Sequence, residues 1–384
     1  MSELEGIIAA YDALRNQGIP SVLATVVHVE GSAFRQAGAR MLISAEGRMT
    51  GAISGGCLEG DALKKALLAL HQVQNKLVTY DTNDEEDAVL GAQLGCNGII
   101  QVLFEPLDYS KADNPVELLR RVVQSTEATV LVVRFRLKKK AEQVGTKVVL
   151  SSSVELLSGS YESRQAGIIE AGARRAIELQ QSRFEIWFEE EEEQVFYNLL
   201  VPPPQLVLIG AGNDAQRLAE LAGILGWRVT VVDGRASHAN PQRFAGGCQL
   251  IIGKPEQVAD QLPMGRQTAV VLMTHNFPYD VALFRCLLPR MGELRYLGIM
   301  GPRKRFERML EELEEKSKVI AASQLDRIYA PVGLDLGAEQ PSEIALAILA
   351  EVMACFNEAE GGSLRAKKGP IHDRRSNHFE IKQG

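Results

Sequence analysis

Residues 205–221 read QLVLIGAGNDAQRLAEL, and this stretch decides the fold of the second half of the chain. The apolar run from Gln205 to Ile209 is typical of a short buried strand. A glycine-rich turn, Gly210-Ala211-Gly212, follows it, and an amphipathic helix is predicted from Asp214 to Leu225. A strand, a GxGxxA turn and a helix in this order predict the first βα unit of a Rossmann fold.

The residues that follow repeat the same alternation. A strand is predicted from Arg228 to Val232, and Asp233 ends it about 20 residues after the turn, where the ribose-binding acid of such folds stands. Further strands are predicted at 250–252, 268–273 and 295–299, helices at 256–261, 279–288 and 302–315, and a last helix from Ser342 to Cys355. This pattern predicts a doubly wound parallel sheet.

Several residues at the predicted strand ends are candidates for binding a nucleotide. They are Gly210, Gly212, Asp233, Arg235, His275, Gly301 and Arg303. An acid at position 233 favours NAD over NADP, although the nearby Arg235 weakens that preference. The turn could equally hold another phosphate or no ligand, His275 could be an ordinary loop histidine, and the basic residues 303–305 could form a solvated face.

A second glycine-rich turn lies near the N-terminus, in RMTGAISGGCLEGDALKKALLAL, residues 48–70. A strand from Met49 to Ile53 precedes Ser54-Gly55-Gly56, and an apolar repeat of four positions predicts a helix that starts near Cys57. Free N–H groups at a helix start favour an anion and would stabilise a thiolate. The alternative is a tight turn with a small buried cysteine.

The same half of the chain contains a second turn with a cysteine, Gly95-Cys96-Asn97-Gly98, and two arginines beside glycines, Arg35 and Arg40. Arginine side chains, glycine backbone and sulfur together suit a ligand that carries a phosphate and a soft metal or a sulfur atom. A run of acids at 189–193 indicates an exposed hairpin tip rather than a metal site.

The triple proline 202–204 marks the predicted domain boundary, because such a run is stiff and extended. Residues 1–201 are predicted to form an α/β domain with a mixed sheet, built on a unit of about 1–107 and its continuation to 201. Residues 202–360 form the Rossmann-like domain. The Gly-, Lys- and Arg-rich residues 361–384 are expected to be a flexible tail.

Composition excludes several classes of protein. The chain has 384 residues, 46% of them hydrophobic, and a net charge of −7, so no basic field favours nucleic acid. No apolar run approaches the roughly 18 residues that a membrane span needs. The five cysteines are scattered and the N-terminus lacks signal-peptide features, so a reduced, cytoplasmic protein is expected.

Seven motifs in order along the chain carry a resemblance to a known family. They are HVEGS (28–32) with Arg35, GAISGGCLE (51–59), GCNG (95–98), PPP (202–204) leading to GAG (210–212), VVDGR (231–235), YLGIMG (296–301) and APVGLDLG (330–337). On these motifs the chain resembles the xanthine dehydrogenase accessory proteins of the XdhC/CoxI type along nearly its whole length. Coverage is weakest at about 108–195 and in the tail. Many relatives carry histidine where this chain has Asn213.

The resemblance implies a maturation factor for molybdenum hydroxylases, a chaperone without turnover of its own. Such a protein binds the molybdenum cofactor (molybdopterin), keeps it available for sulfuration by a cysteine desulfurase and delivers it to the apo molybdenum hydroxylase. A homodimer is expected. The implied cofactor-binding residues are Gly31, Ser32, Arg35, Arg40, Ser54, Gly55, Gly56, Cys57, Glu59, Cys96 and Gly98, with Cys57 also a candidate metal ligand.

Two other functions are compatible with the sequence. One is an NAD-dependent oxidoreductase, with Asp233 on the ribose and His275 as the acid–base group. The other is a scaffold that joins a desulfurase to an apoenzyme through its surface.

Overall fold

The structure is a computed structural model that describes residues 3–31, 35–56, 58–81, 98–138, 141–188, 193–244, 246–314, 321–368 and 380–381. The described chain divides into two compact units, and the division falls between Pro202 and Pro203. The short segment 380–381 belongs to the first unit. None of the helices in these ranges is long and apolar enough to cross a bilayer.

The first unit contains a five-stranded sheet in which every pairing is antiparallel. Its strands are β1 (Ser21–Gly31), β2 (Arg40–Ser44), β3 (Met49–Gly51), β4 (Lys76–Asp81) and β5 (Gly98–Pro106), in the order β3-β2-β1-β5-β4. Helix α1 (Glu3–Gln17) precedes the sheet, and helix α2 (Glu59–Gln72) covers one face. Small residues at 62, 66 and 69 let α2 lie close to the strands.

Residues 115–200, predicted as a continuation, contain a sheet of their own. Its strands are β6 (Thr129–Arg136), β7 (Gly145–Leu150), β8 (Leu156–Gly159), β9 (Arg183–Phe188), β10 (Glu193–Leu200) and β17 (Glu380–Ile381), in the order β17-β9-β10-β6-β7-β8. Helices α3 (Pro115–Gln124) and α4 (Ser163–Glu178) accompany it. Among the described residues of this sheet, β17 pairs with β9 in parallel and the other pairings are antiparallel. This second sheet is therefore the mixed sheet that the sequence predicts.

The two sheets pack face to face. Val27 and Leu103 of the first sheet contact Val133, Phe135 and Phe196 of the second in one buried cluster. The opposite faces are covered by α2 on the first sheet and α4 on the second, which gives an α-β-β-α arrangement. Alternation of side chains along each strand produces this layering, because successive residues point to opposite faces.

The second unit is a six-stranded parallel sheet, which confirms the predicted Rossmann-like fold. Its strands are β11 (Gln205–Ile209), β12 (Arg228–Asp233), β13 (Gln249–Ile252), β14 (Thr268–Leu272), β15 (Tyr296–Ile299) and β16 (Ile328–Tyr329), in the order β13-β12-β11-β14-β15-β16. The central strands β11 and β14 are buried on both faces, which explains their uninterrupted apolar sequences.

Helices cover both faces of this parallel sheet. They are α5 (Asn213–Ile224), α6 (Pro255–Ala259), α7 (Phe277–Leu287), α8 (Arg303–Glu314), α9 (Ala322–Leu325) and α10 (Pro341–Phe356). Helices α5 and α10 pack on one face, and α6, α7 and α8 pack on the other. The short elements β8, α9 and β16 were not predicted from the sequence, because segments of two to four residues carry too little periodicity to be recognised.

Helix α4 lies close to the second sheet at one glycine. A Cβ atom added at Gly172 would lie 2.1 Å from Cζ of Tyr197 on β10. The Tyr197 ring is fully buried, and its hydroxyl donates to the carbonyl of Ile168. The contact therefore involves a ring that has no free space into which it could move.

We expect Gly172→Ala to lower the free energy of unfolding by about 3 kcal/mol, because it overpacks this contact. Gly167→Ala in the same helix is the matched control, since its added Cβ would meet nothing within 4 Å. The control should raise stability by up to about 1 kcal/mol through helix propensity. Urea denaturation of both variants measures the difference, and equal midpoints would contradict the close approach of α4 to β10.

Candidate functional site

The topology of the first sheet brings three of the predicted motifs to one end of the sheet. Gly31 at the end of β1 lies opposite Gly98 at the start of β5, and Asp81 at the end of β4 lies opposite Ile99. Gly51 at the end of β3 lies opposite Met41 near the start of β2. The chain therefore leaves β1, β3 and β4 at the same end. The predicted residues Ser32, Cys57 and Cys96 fall in or beside these connections but outside the described residues.

The turn at residues 54–59 is held by its own side chains. Ser54 Oγ accepts hydrogen bonds from the N–H groups of Gly56 and Leu58, both at 3.1 Å, and donates to Glu59 Oε2 at 2.5 Å. Glu59 Oε1 also accepts from the Ser54 N–H at 3.1 Å. Ser54 and Glu59, both predicted as cofactor ligands, thus cap this turn.

The helix after this turn begins at Glu59, two residues later than the predicted start at Cys57. Leu58, the N-cap residue of this helix, makes no capping hydrogen bond with its side chain. The Ser54 hydroxyl instead accepts from the N–H groups of residues 56 and 58. The tip of the turn remains open. Gly55 and Gly56 are exposed, and a Cβ added at Gly56 would meet nothing within 4 Å. Its φ of +110° explains the glycine.

Arg35 and the segment just before this turn contact the same carboxylate, that of Glu3. Its Nη1 donates to Glu3 Oε2 at 3.3 Å, and the N–H of Ala52 donates to Glu3 Oε1 at 3.2 Å. The Arg35 side chain is 38% exposed, so it can reach a ligand in solvent. Of the two arginines predicted to bind a phosphate, Arg35 has the position that suits this role.

Arg40 lies in the interior instead, with 3% of its surface exposed. Its Nη2 donates to Asn198 Oδ1 on the second sheet and its Nη1 donates to the Gly38 carbonyl, both at 2.8 Å. Burial lowers the pKa of Arg40 to about 10, and the nearby Glu105 and Glu3 oppose that effect. These contacts favour a role in joining the two sheets over phosphate binding.

The two glycines of the turn in the second unit differ in their surroundings. Gly210 is needed for packing, whereas Gly212 is open, as a phosphate site requires. A Cβ at Gly210 would lie 2.9 Å from the Met273 carbonyl oxygen, and its φ is +115°. Glycine is therefore required there for β11 and β14 to end side by side. At Gly212, which precedes α5, an added Cβ would meet nothing within 4 Å, so this position is open.

Asp233, the predicted ribose-binding acid, already has internal partners. Its Oδ2 accepts from the Ala211 N–H at 2.8 Å, and Arg235 donates to the carboxylate through Nε at 2.9 Å and Nη2 at 3.0 Å. Burial opposes ionisation of Asp233, but the hydrogen bonds from Arg235 and Ala211 outweigh it and lower the pKa. A ribose hydroxyl would have to compete with Arg235 for this carboxylate.

A second arginine, Arg243, contacts this turn. Arg243 Nη2 donates to the Ala211 carbonyl at 3.2 Å and to Asn213 Oδ1 at 3.1 Å. Asn213 is therefore an acceptor for an arginine in this chain.

Helices α7 and α8, which follow β14 and β15, are joined by an ion pair whose carboxylate is buried. Asp280 Oδ2 accepts from Arg305 at 2.7 Å, and its Oδ1 accepts from the Thr274 hydroxyl at 2.6 Å. Burial raises the pKa of Asp280, against the lowering effect of these two partners. The predicted residues His275 and Arg303 are exposed beside this pair. Packing explains the glycine at position 301, because an added Cβ would lie 2.8 Å from Arg305 Cδ.

The structure thus links Arg35 through Glu3 to Ala52, just before the turn at 54–59, in the first unit, and it joins the fingerprint turn to Asp233 and Arg235 in the second. It separates Arg40 from the first group. Sequence reasoning missed Glu3, Asn198, Arg243 and Asp280. A lone polar residue in the apolar strand VFYNLL was a signal for Asn198, but nothing local indicates Glu3 or Arg243. Among the described residues, no group of three His, Cys, Asp or Glu side chains is placed to hold a metal ion.

Two family models match this sequence. The model described as the XdhC Rossmann domain matches residues 206–352, and the model of the XdhC and CoxI family matches residues 14–81. The first matched region covers the parallel sheet, and the second covers the β1–β4 part of the antiparallel sheet with the turn at 54–59.

Three known proteins are similar over most of the chain. A probable xanthine dehydrogenase subunit of Bacillus subtilis (strain 168) is 32% identical over 342 residues, 89% of this chain and 95% of that protein. The "molybdenum cofactor insertion chaperone PaoD" of Escherichia coli (strain K12) is 23% identical over 343 residues, 89% of this chain and 85% of that protein. A crystal structure from Bacillus halodurans, described as a xanthine dehydrogenase, superposes with a TM-score of 0.73 at 28% identity and covers 95% of this chain and 98% of that one.

The different environments of the two arginines predict different costs of substitution. We expect Arg40→Gln to lower the free energy of unfolding by about 3 kcal/mol, because it removes a buried cation and leaves Asn198 and Gly38 without a donor. Arg35→Gln, the matched control, should change stability by less than about 0.5 kcal/mol. Guanidinium denaturation compares the two. A harmless Arg40→Gln would show that the guanidinium does not join the sheets.

Proposed function

Because this chain belongs to the XdhC and CoxI family of xanthine dehydrogenase accessory proteins, we propose that it binds the molybdenum cofactor and inserts it into a molybdenum hydroxylase. One observation carries this proposal: the similarity to a molybdenum cofactor insertion chaperone extends over 89% of the chain. The proposal also includes protection of the cofactor while a cysteine desulfurase sulfurates it. The cofactor is here the cargo of the protein and not its resident group.

The end of the first sheet where β1 and β3 finish supplies suitable chemistry for this cargo. Arginine binds phosphate through paired N–H donors, and Arg35 is the exposed arginine beside the open turn at Gly55 and Gly56. A glycine tip allows the backbone to approach a flat pterin closely. Cys57, which follows the tip in the sequence, would place a sulfur near the metal end of the cargo.

The assignment of residues differs from the one made on sequence alone. Arg35 keeps its proposed role on the phosphate. Arg40 instead joins the two sheets through Asn198, and Ser54 and Glu59 bind each other within the turn. Cys57, Cys96 and Ser32 remain proposed from the sequence. We propose the apo molybdenum hydroxylase and the cysteine desulfurase as partners, a homodimer as the assembly and the cytoplasm as the location.

We expect Arg35→Ala and Cys57→Ala each to reduce the molybdenum and pterin that co-purify with the protein by about tenfold or more, because each removes one contact to the cargo. Metal analysis and pterin fluorescence measure retention, and activation of an apo-hydroxylase measures delivery. Arg48→Ala is the control, since Arg48 is an exposed arginine paired with Glu46 at the hairpin between β2 and β3. Full retention and full activation in both variants would remove these residues from the function.

A second candidate is nucleotide binding, with NAD as the ligand and hydride transfer as the reaction. The strand order of the parallel sheet, the open position at Gly212 and the acid at 233 favour it. The existing partners of Asp233 disfavour it, because Arg235 and Ala211 already use both carboxylate oxygens.

This candidate predicts micromolar binding of NADH in calorimetry, a value typical of a specific cofactor site. Arg235→Ala should then strengthen the binding, because it frees the carboxylate of Asp233 for a ribose hydroxyl. Asp233→Ala is the paired control and should abolish it. If the unmodified protein and Arg235→Ala both give no heat with NADH, the nucleotide candidate is rejected.

A further inference from the structure

The carboxylate of Glu3 lies between two hydrogen-bond donors from other elements of the first unit. Its two oxygens accept from the Arg35 guanidinium and from the Ala52 N–H. A guanidinium and a backbone N–H that face the same point are the donors that a phosphate oxygen uses. Glu3 belongs to α1, whereas Arg35 and Ala52 follow β1 and β3, so the three groups come from three separate elements.

Glu3 and Glu59 both contact the segment that leads into the turn, but their contacts differ in kind. Glu59 lies within the turn and makes a 2.5 Å bond to the Ser54 hydroxyl and a 3.1 Å bond to the Ser54 N–H. Glu3 reaches the turn from outside, with longer contacts of 3.2 and 3.3 Å and a side chain that is 43% exposed. Short, part-buried bonds hold structure, whereas long, exposed ion pairs contribute little net stability and exchange easily.

Helix α1 can lose the Glu3 contact without leaving its place. The helix is held by Ile7, Tyr11 and Leu14, which are buried against both sheets of the first unit. Glu3 precedes the first of these anchors by one helical turn. Displacement of its carboxylate therefore requires only a rotation of one side chain.

We propose that Glu3 is an exchangeable internal counter-ion of the cargo site. Before the cargo binds, its carboxylate neutralises Arg35 and satisfies the Ala52 N–H; the phosphate of the cargo then displaces it and takes both donors. This inference rests on the proposed function for the identity of the cargo, but the hydrogen bonds exchanged are those that Glu3 makes with Arg35 and Ala52. Glu3 thereby sets the affinity of the site and keeps weakly bound anions out.

A positioning role for Glu3 makes the opposite prediction. If the carboxylate served to orient Arg35 toward the ligand, its removal would weaken anion binding. If it competes with the anion, its removal strengthens binding. The sign of the change therefore separates the two roles.

The experiment measures the affinity of the full-length protein for inorganic pyrophosphate by calorimetry. Glu3→Gln keeps the size of the side chain and removes the charge, and we expect it to tighten binding by roughly threefold to fivefold, which is what an exposed ion pair of up to about 1 kcal/mol corresponds to. Glu3→Asp keeps the competing charge and should remain within about twofold of the unmodified protein. Arg35→Ala should abolish the gain in the double variant.

Glu46→Gln is the matched control, because Glu46 is also an exposed partner of an arginine but lies at the hairpin between β2 and β3. It should leave pyrophosphate affinity unchanged. Unchanged or weaker binding in Glu3→Gln, or no measurable binding in any variant, overturns the proposal.

The same preparations are assayed for co-purified molybdenum and pterin. Failure of the counter-ion proposal can then be distinguished from failure of the proposed function. Cargo retention in the unmodified protein together with no gain in Glu3→Gln removes the counter-ion and leaves the proposed function in place. A gain in pyrophosphate affinity without any retained cargo supports the counter-ion and removes the proposed function.

Discussion

The buried guanidinium of Arg40 is the contact on which the first unit depends. It joins the start of β2 in the five-stranded sheet to Asn198 in the six-stranded sheet, at a place where both partners are shielded from water. A second polar link runs beside it, from Thr146 to the buried carboxylate of Glu105. Apolar packing alone would let two sheets slide, whereas directional bonds between named strands fix their relative position.

The fixed position of the sheets determines where the open turn lies. Because β2 and β3 are held in register at the end near Arg40, the segment from Ala52 to Gly56 leaves the sheet next to Arg35 and the start of α1. Donors that the sequence indicates for a ligand are here used by the chain's own acids. Glu59 accepts two hydrogen bonds from Ser54 within the turn, and Glu3 accepts from Arg35 and from the Ala52 N–H. A site of this kind stays folded without its cargo, since few of its polar groups depend on the cargo for partners.

The Rossmann-like unit shows how a fold can keep its ligand-binding geometry while its polar groups pair with each other. The turn, the strand order and the acid at 233 are all in their expected places. Arg235, Arg243 and Arg305 nevertheless engage Asp233, Asn213 and Asp280. The family relationship and the first unit therefore carry the functional argument, because the fold of the second unit does not fix its ligand.

The sequence by itself determined the longer elements and the family. Strand, turn and helix at 205–224 could be read because their signals, apolar periodicity and glycine spacing, lie within a few neighbouring residues. The ordered motifs likewise led to the family that the comparisons show. Only the tertiary structure decided the roles of the two arginines. Arg40 meets a residue 158 positions away and becomes interior, whereas Arg35 and Ala52 meet Glu3 from 32 and 49 positions away and stay exposed. No local pattern encodes such pairings, because they exist only once the sheets are packed.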